Sequence, residues 1–345
     1  MRKAIVFLIL LGLGIVLLVF TLRNIGVSGV IESLHMLSGP ESVIVFLVLL
    51  LGQIVVGAMK WKTIIGKTKD KGLKFSKIFL ARWAGFGVSF VTPAALLGGE
   101  PVRFLILKQG SKLETSKIIS SIILDKLLFV FAGACYFFTG IFFLLIYLDL
   151  SWLMLAVGLG ILLAAMIAFW LLLRKARKIS KEKGLSLTIV ERLYLNKLKI
   201  IKKNQAALGA IEAEMRKFFR SSRLPKVLVM SFMEVSIVVF GCWLILFFAG
   251  LTLEIPKLFA IKSMSDLSYS LPFPAALGTL EISQAFVFGV LGFSLAMGVA
   301  FSLVLRGLNL AIALLGLLIL SWLQIKFFKQ RIIDFLTGLV PNSKQ

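Results

Sequence analysis

The sequence is short of the residues that most catalytic and metal sites require. It contains one histidine, two cysteines and 16 acidic residues, against 39 lysines and arginines. The lone His35 supports neither a zinc site nor a histidine-dependent membrane phosphatase. Cys135 and Cys242 lie within apolar stretches, where we interpret them as packing residues rather than as a disulfide or metal ligands. We therefore expect no metal, no cofactor and no catalytic residue.

Long apolar runs dominate what is present. The chain is 59% hydrophobic with a mean hydropathy of +1.00, and a bilayer crossing needs about 20 apolar residues. An all-α integral membrane protein with about six full transmembrane helices follows. Six stretches without a charged residue are Ala4–Leu22, Val43–Met59, Leu127–Leu148, Leu150–Leu173, Val235–Leu253 and Gly307–Ile325.

The net charge of +23 is concentrated between these runs, which is the positive-inside pattern and argues against a nucleic-acid partner. It predicts a multi-pass protein of the cell membrane with cytoplasmic N- and C-termini, whose basic face attracts anionic lipid headgroups. The first apolar run resembles a signal peptide. Because it is longer than the usual core and no small-x-small site follows, we expect a retained helix.

Two apolar stretches are broken in the same way. Residues Ser89–Glu100 (SFVTPAALLGGE) align with Ser270–Glu281 (SLPFPAALGTLE), 181 residues later, with six identities in twelve positions. Basic residues on both flanks of the first stretch favour a re-entrant hairpin entered from the cytoplasm, and the second hairpin is predicted to enter from outside. With their flanking spans, the two hairpins predict an inverted-topology repeat, an architecture typical of transporters with a central substrate site.

The charges and breaks predict five regions. They are an N-terminal helix and external connector (1–40), repeat one (41–149), a helix and basic connector (150–226), repeat two (227–330) and a cytoplasmic tail (331–345). Within the basic connector an apolar stripe recurs at helical spacing, which predicts a helix lying on the membrane surface or packed under the bundle. Its members are Leu208, Ile211, Met215, Phe218 and Phe219.

Charged residues within apolar segments are the candidate functional residues, since each is costly in the bilayer. Asp125 and Arg306 occupy equivalent positions of the two repeats, and either neutralise each other or line a polar path. Glu100 and Arg103 follow the Gly98-Gly99 break and either pair with each other or face substrate. Glu234 is interpreted as structural. Arg82, Asp266 and Gln284 are lower-ranked cavity residues.

These motifs resemble a known family. The string PAALLGGEPVR (Pro93 to Arg103), followed by SSIILDKLL (Ser120 to Leu128), is similar to the first signature of the flippase-like membrane domain of lysylphosphatidylglycerol synthases. Leu271–Glu281 and Leu305-Arg306 resemble its later signatures. The resemblance implies a lipid flippase whose substrate-binding or translocation residues are Gly98, Gly99, Glu100, Arg103, Asp125, Pro272, Pro274, Gly278, Glu281 and Arg306.

The expected function is translocation of a phospholipid, an aminoacyl-phospholipid or a polyprenyl-phosphate-linked lipid between leaflets. Because the chain ends at Gln345 without the soluble aminoacyl-transferase domain of two-domain members, we expect that its cargo need not be a lysyl-lipid. We expect no enzyme, since the Pro-Gly-x-Ser-Arg-Ser string of undecaprenyl-diphosphate phosphatases is absent. An ion or small-solute transporter and a scaffold for a lipid-modifying enzyme remain alternatives, and a homo-oligomer is compatible with each.

Overall fold

The computed structural model describes residues 2–66, 73–92, 98–109, 111–148, 160 and 205–338. The described residues form helices and turns without any strand, which confirms the predicted all-α membrane class. The helices are α1 (Arg2–Ile25), α2 (Val27–Leu37), α3 (Pro40–Ile65), α4 (Phe75–Val91), α5 (Glu100–Lys108), α6 (Thr115–Tyr147), α7 (Gln205–Phe219), α8 (Leu224–Phe248), α9 (Ile255–Ser270), α10 (Thr279–Val290) and α11 (Leu295–Gly338), with a 3₁₀ turn at Pro274–Ala276.

Five helices in the described part of the chain are long and apolar enough to cross a bilayer. At a rise of about 1.5 Å per residue, each reaches most or all of the way through a hydrocarbon core of about 30 Å. The predicted crossing at Leu150–Leu173 lies outside the described residues, and the orientation of the termini stays a prediction. The five segments are Leu8–Ile25, Pro40–Ile65, Thr115–Tyr147, Leu224–Phe248 and Leu295–Gln324.

Two shorter helix pairs occupy the places where hairpins were predicted. Helix α4 ends at Val91 and α5 begins at Glu100, whereas α9 ends at Ser270 and α10 begins at Thr279. In each pair the two helices pack against each other. The breaks are therefore where proline and glycine predicted them, although Pro93–Leu97 lie outside the described residues. Re-entry into the membrane stays a prediction.

The helix contacts are symmetric when the two predicted repeats are exchanged. The principal contact of α3 is with α8, its counterpart in the second repeat, while α4 packs on α11 and α9 packs on α6. Exchanging α3, α4, α5 and α6 for α8, α9, α10 and α11 maps the α3–α8 contact onto itself and turns the α4–α11 and α6–α9 contacts into each other. Such a pattern is what two interlocked repeats require. Their inverted orientation stays a prediction.

The amphipathic stripe of the basic connector packs under the bundle. Phe218 and Phe219 of α7 are buried in an apolar cluster that includes Ile64 and Leu128, so the second of the two interpretations of this helix holds. Beyond α7, Arg223 donates to the carbonyl oxygen of Thr63 at 3.0 Å, which caps the free carboxyl end of α3.

The last helix runs past the predicted start of the cytoplasmic tail. Since no proline interrupts Leu295–Gly338, α11 continues through residues 331–338, and the predicted boundary at residue 330 falls inside it.

Candidate functional site

A cavity of about 540 Å³ lies between the helices of the first predicted repeat (α3 to α6) and those of the second (α8, α9 and α11). One face of α6 forms much of its wall, because residues spaced by three and four positions lie on the same face of a helix. Helices α3, α4, α5, α8, α9 and α11 supply the remainder. The wall is mostly apolar, whereas charged side chains gather in two places. The α6 residues are Asp125, Lys126, Phe129, Val130, Gly133, Ala134, Phe137 and Phe138.

The larger group of charges forms what we call the charge cluster. It consists of Lys60 (α3), Arg82 (α4), Arg103 (α5), Asp125 (α6) and Glu234 (α8). Five different helices each contribute one member, so the cluster joins helices of both predicted repeats. All except Lys60 line the cavity.

Asp125 is the centre of the charge cluster. Its Oδ2 atom accepts from Arg82 Nη1 at 2.7 Å and from Arg103 Nη2 at 2.6 Å, and its Oδ1 lies 3.1 Å from Lys60 Nζ. Glu234 also binds Lys60, at 2.7 Å, and accepts a hydrogen bond from Arg82. Both carboxylates are almost completely buried. Pairing of this kind is what makes buried charges tolerable.

The described members of the charge cluster do not balance, since three cations face two carboxylates. Arg103 keeps an unused donor as well: its Nε is buried without a hydrogen-bond partner among the described residues. The guanidinium lies over the ring of Trp61, 4.0 Å from the centroid, and Trp61 is held by a 3.0 Å hydrogen bond to Ser121. The cluster thus retains one positive charge and a fixed N–H donor.

Two glycines leave room for the two arginines between closely packed helices. A Cβ atom on Gly57 would lie 2.1 Å from Arg82 Nε, and one on Gly85 would lie 2.7 Å from Arg103 Cγ. The side chains therefore occupy space that only glycine leaves free. At the start of α5, the Gly99 N–H donates to Ser89 Oγ at 2.9 Å, which fixes the break against α4.

Of the two alternatives for Glu100 and Arg103, pairing with each other is replaced by two other contacts. Glu100 lies 3.7 Å from Lys126 Nζ, while Arg103 turns to Asp125. Glu100 and Lys126 both line the cavity and are each about a quarter exposed. They form a second, neutral pair beside the charge cluster.

A smaller polar group lines another part of the cavity. Lys262 pairs with Asp266 one turn later on α9, and the buried hydroxyl of Tyr269 has no hydrogen-bond partner in the described structure. Asp266 and Arg82, ranked low from sequence, thus line the cavity. Gln284 lies outside its lining and binds Ser265 Oγ at 2.9 Å, joining α10 to α9.

The second motif holds its own helix break together. Arg306 pairs with Glu281 and donates to the carbonyl oxygens of Ala275 and Ala276 at 3.2 and 3.1 Å, both of which have positive φ. Glu281 accepts from the Gly278 N–H at 2.9 Å. Arg306 and Asp125 therefore do not neutralise each other, because Arg306 pairs with Glu281 whereas Asp125 pairs with the three cations of the charge cluster.

The predicted residues accordingly divide between two places. The first group, Glu100, Arg103 and Asp125, lines the cavity, with Gly98 and Gly99 at the adjoining break. The second group, Pro272, Pro274, Gly278, Glu281 and Arg306, surrounds the break between α9 and α10 and contributes nothing to the cavity wall.

Sequence reasoning missed the role of Lys60 and Glu234. Lys60 was not among the candidate residues, and Glu234 was interpreted as structural. The sequence did contain a signal that Lys60 is buried. Lys60 lies three residues after Gly57, on the face of α3 whose residues are buried at helical spacing. Glu234 lies ten residues into α8, with apolar residues on both sides.

A family model described as the lysylphosphatidylglycerol synthase TM region matches residues 5–316. The matched range contains the whole charge cluster and both interrupted helix pairs. The resemblance read from the proline motifs is confirmed. No curated protein matches the chain.

Proposed function

The chain belongs to the lysylphosphatidylglycerol synthase TM region family, whose membrane domain indicates a lipid-related function, and from this premise we propose that it translocates a polar lipid between leaflets. The phospholipid, aminoacyl-phospholipid or polyprenyl-phosphate-linked lipid would place its headgroup in the cavity. Its hydrocarbon chains would remain along the apolar walls and in the bilayer. The proposal includes a cell-membrane location with both termini in the cytoplasm.

One observation carries the proposal: a buried, unbalanced charge cluster opens into a cavity whose remaining wall is largely apolar. A charged group at the bilayer centre costs about 2.5–3.5 kcal/mol on insertion scales. A headgroup crossing the membrane has the same difficulty, and fixed side-chain charges reduce that cost. The apolar wall suits the rest of an amphipathic molecule.

The first interrupted helix pair supplies the contacts for a phosphate. Arg103 offers its unused Nε, and the free N–H groups of the first turn of α5 favour an anion. Lys60, Arg82, Asp125 and Glu234 hold Arg103 in place through their shared ion pairs. Because the cluster joins both repeats, a relative movement of the repeats would change access to it, as in transporters built from repeats.

The direct test is lipid movement in liposomes that contain the purified protein. Vesicles would carry headgroup-labelled phosphatidylglycerol, lysyl-phosphatidylglycerol or a polyprenyl phosphate, and the label reaching the opposite leaflet would be measured. We expect movement of at least one lipid by the wild type and about tenfold slower movement by Arg103→Gln, the equivalent of about 1.4 kcal/mol.

The matched control is Arg23→Gln, which makes the same chemical change at an exposed residue outside the cavity and is expected to transport at the wild-type rate. Absence of lipid movement, with or without a pH gradient, would contradict translocation. Ion currents independent of lipid would instead support a solute transporter, partner binding without transport would support a scaffold, and chemical turnover of the lipid would support an enzyme.

A further inference from the structure

The charges around the cavity specify the headgroup more closely. We infer that the cavity binds a lipid headgroup with one net negative charge on a phosphate ester, in preference to zwitterionic or cationic headgroups. This inference rests on the proposed function, because it assumes that the cavity holds a lipid.

The charged side chains at and beside the cavity do not sum to zero. Among the described residues, Glu100 with Lys126 and Lys262 with Asp266 are neutral pairs. The charge cluster adds three cations and two carboxylates. The charged residues that line the cavity balance, and Lys60, which lies behind them against Asp125 and Glu234, adds one excess positive charge that a singly charged anion in the cavity would neutralise.

Arg103 holds an unused N–H donor at the cavity wall. Arg103 is 7% exposed, its Nη2 is committed to Asp125, and one face of its guanidinium is covered by Trp61. Its Nε remains without a partner while the side chain lines the cavity. A phosphate oxygen is the natural acceptor for an arginine N–H held in this way.

The excess positive charge disfavours cationic, zwitterionic and doubly charged headgroups. In a site of low dielectric constant, an added ammonium group is repelled by the excess charge, and that repulsion is stronger than in water. A zwitterionic headgroup leaves the excess uncompensated, and a doubly charged phosphate leaves one negative charge. The hydroxyl of Tyr269, buried and unpaired at the cavity wall, can donate to an uncharged part of an anionic headgroup, such as an ester oxygen or a hydroxyl.

The test is competitive lipid binding to the full purified chain in detergent, measured by native mass spectrometry. The probes are phosphatidylglycerol, phosphatidylcholine and lysyl-phosphatidylglycerol with identical acyl chains. We expect wild-type protein to retain phosphatidylglycerol about tenfold better than either other lipid. Equal retention of all three, or preference for the lysyl-lipid, would overturn the inference.

Two variants move the charge in opposite directions. Arg103→Gln leaves two cations facing two carboxylates and is expected to abolish the preference, whereas its control Arg23→Gln retains it. Glu234→Gln raises the excess to two and is expected to shift retention towards phosphatidic acid, which is added as a fourth probe for this comparison, whereas the exposed Glu32→Gln does not. If Arg103→Gln fails to fold, the Glu234→Gln comparison still decides: an unchanged preference would contradict the charge argument.

A soluble competitor separates a lipid from a free phosphate ester. Glycerophosphoglycerol carries the same charged group without acyl chains, and we expect it to displace phosphatidylglycerol at least about tenfold less effectively. Equal displacement would overturn the assignment to a lipid. Selective binding without movement in liposomes would leave this inference standing and reject translocation, whereas movement of all headgroups at equal rates would do the reverse.

Discussion

Residues at equivalent positions of the two predicted repeats have different partners. Glu100 and Glu281 lie 181 positions apart, yet Glu100 binds Lys126 at the cavity whereas Glu281 binds Arg306 and the Gly278 N–H. Helix α10 starts two residues before Glu281, so the Glu281 side chain can reach back over the first turn. Helix α5 starts at Glu100 itself, which leaves the side chain directed to α6.

The unequal numbers in the charge cluster predict unequal costs of mutation. Asp125→Asn leaves three cations with one carboxylate, and breaking a buried pair in this way costs about 3–5 kcal/mol. Arg103→Gln leaves two of each, so we expect a smaller loss of about 1.5–3 kcal/mol, typical of a hydrogen bond to a charged group. Chemical unfolding in detergent would measure both. Equal losses would show that the excess charge has no energetic consequence.

The approach of α3 to α4 is decided by one missing side chain. Arg82 reaches Asp125 and Glu234 by passing over Gly57, where a Cβ atom would meet the guanidinium. A flexible arginine can usually move aside, but this one would leave two buried carboxylates as it did so. The helix contact and the charge cluster are therefore coupled.

We expect Gly57→Ala to destabilise the protein by about 1–3 kcal/mol, the usual cost of overpacking, and to slow lipid movement. Gly52→Ala is the matched control, because it lies on the same helix and a Cβ atom there meets nothing within 4 Å. Both substitutions bring the same gain in helix propensity, so their difference isolates the contact with Arg82. Unfolding and liposome assays of the pair would check this, and identical behaviour would contradict the coupling.

At the scale of the whole molecule, the first helix supports the second repeat. Helix α1 packs on α10 and on the 3₁₀ turn. A Cβ atom on Gly14 would lie 2.8 Å from the carbonyl oxygen of Leu277, and one on Gly278 would lie 2.5 Å from the carbonyl oxygen of Gly14. The break between α9 and α10 is thus enclosed by α1 on one side and braced by Arg306 from α11.

Gly14→Leu is expected to separate α1 from this break and to speed amide hydrogen exchange in residues 271–278, because Leu277 and Gly278 lose their cover. Gly12→Leu adds the same side chain where nothing lies within 4 Å and should leave exchange unchanged. Hydrogen-exchange mass spectrometry of both variants would measure the effect. Equal protection in the two would mean that α1 does not support the second repeat.

Much of the architecture could be predicted because it is encoded locally. Apolar runs identify the membrane-spanning helices, and the motifs around Gly98-Gly99 and Pro272–Pro274 identify the breaks, since proline and glycine act on their own backbone. The paired motifs were also enough to identify the family. Each of these properties depends on residues that are neighbours in the sequence.

Tertiary structure alone decided which charges meet. An acidic residue in an apolar segment, such as Asp125 or Glu234, predicts that a partner is needed. The sequence does not predict that Lys60 and Arg82 supply it from other helices. Arg82 and Glu234 are 152 residues apart, and only the packing of α3 and α4 on their neighbours brings them together. The sequence therefore determined a membrane protein with two broken helix pairs, while packing determined the cavity, its excess charge and the separate role of Arg306, because partner choice between distant charges depends on helix contacts that no local pattern records.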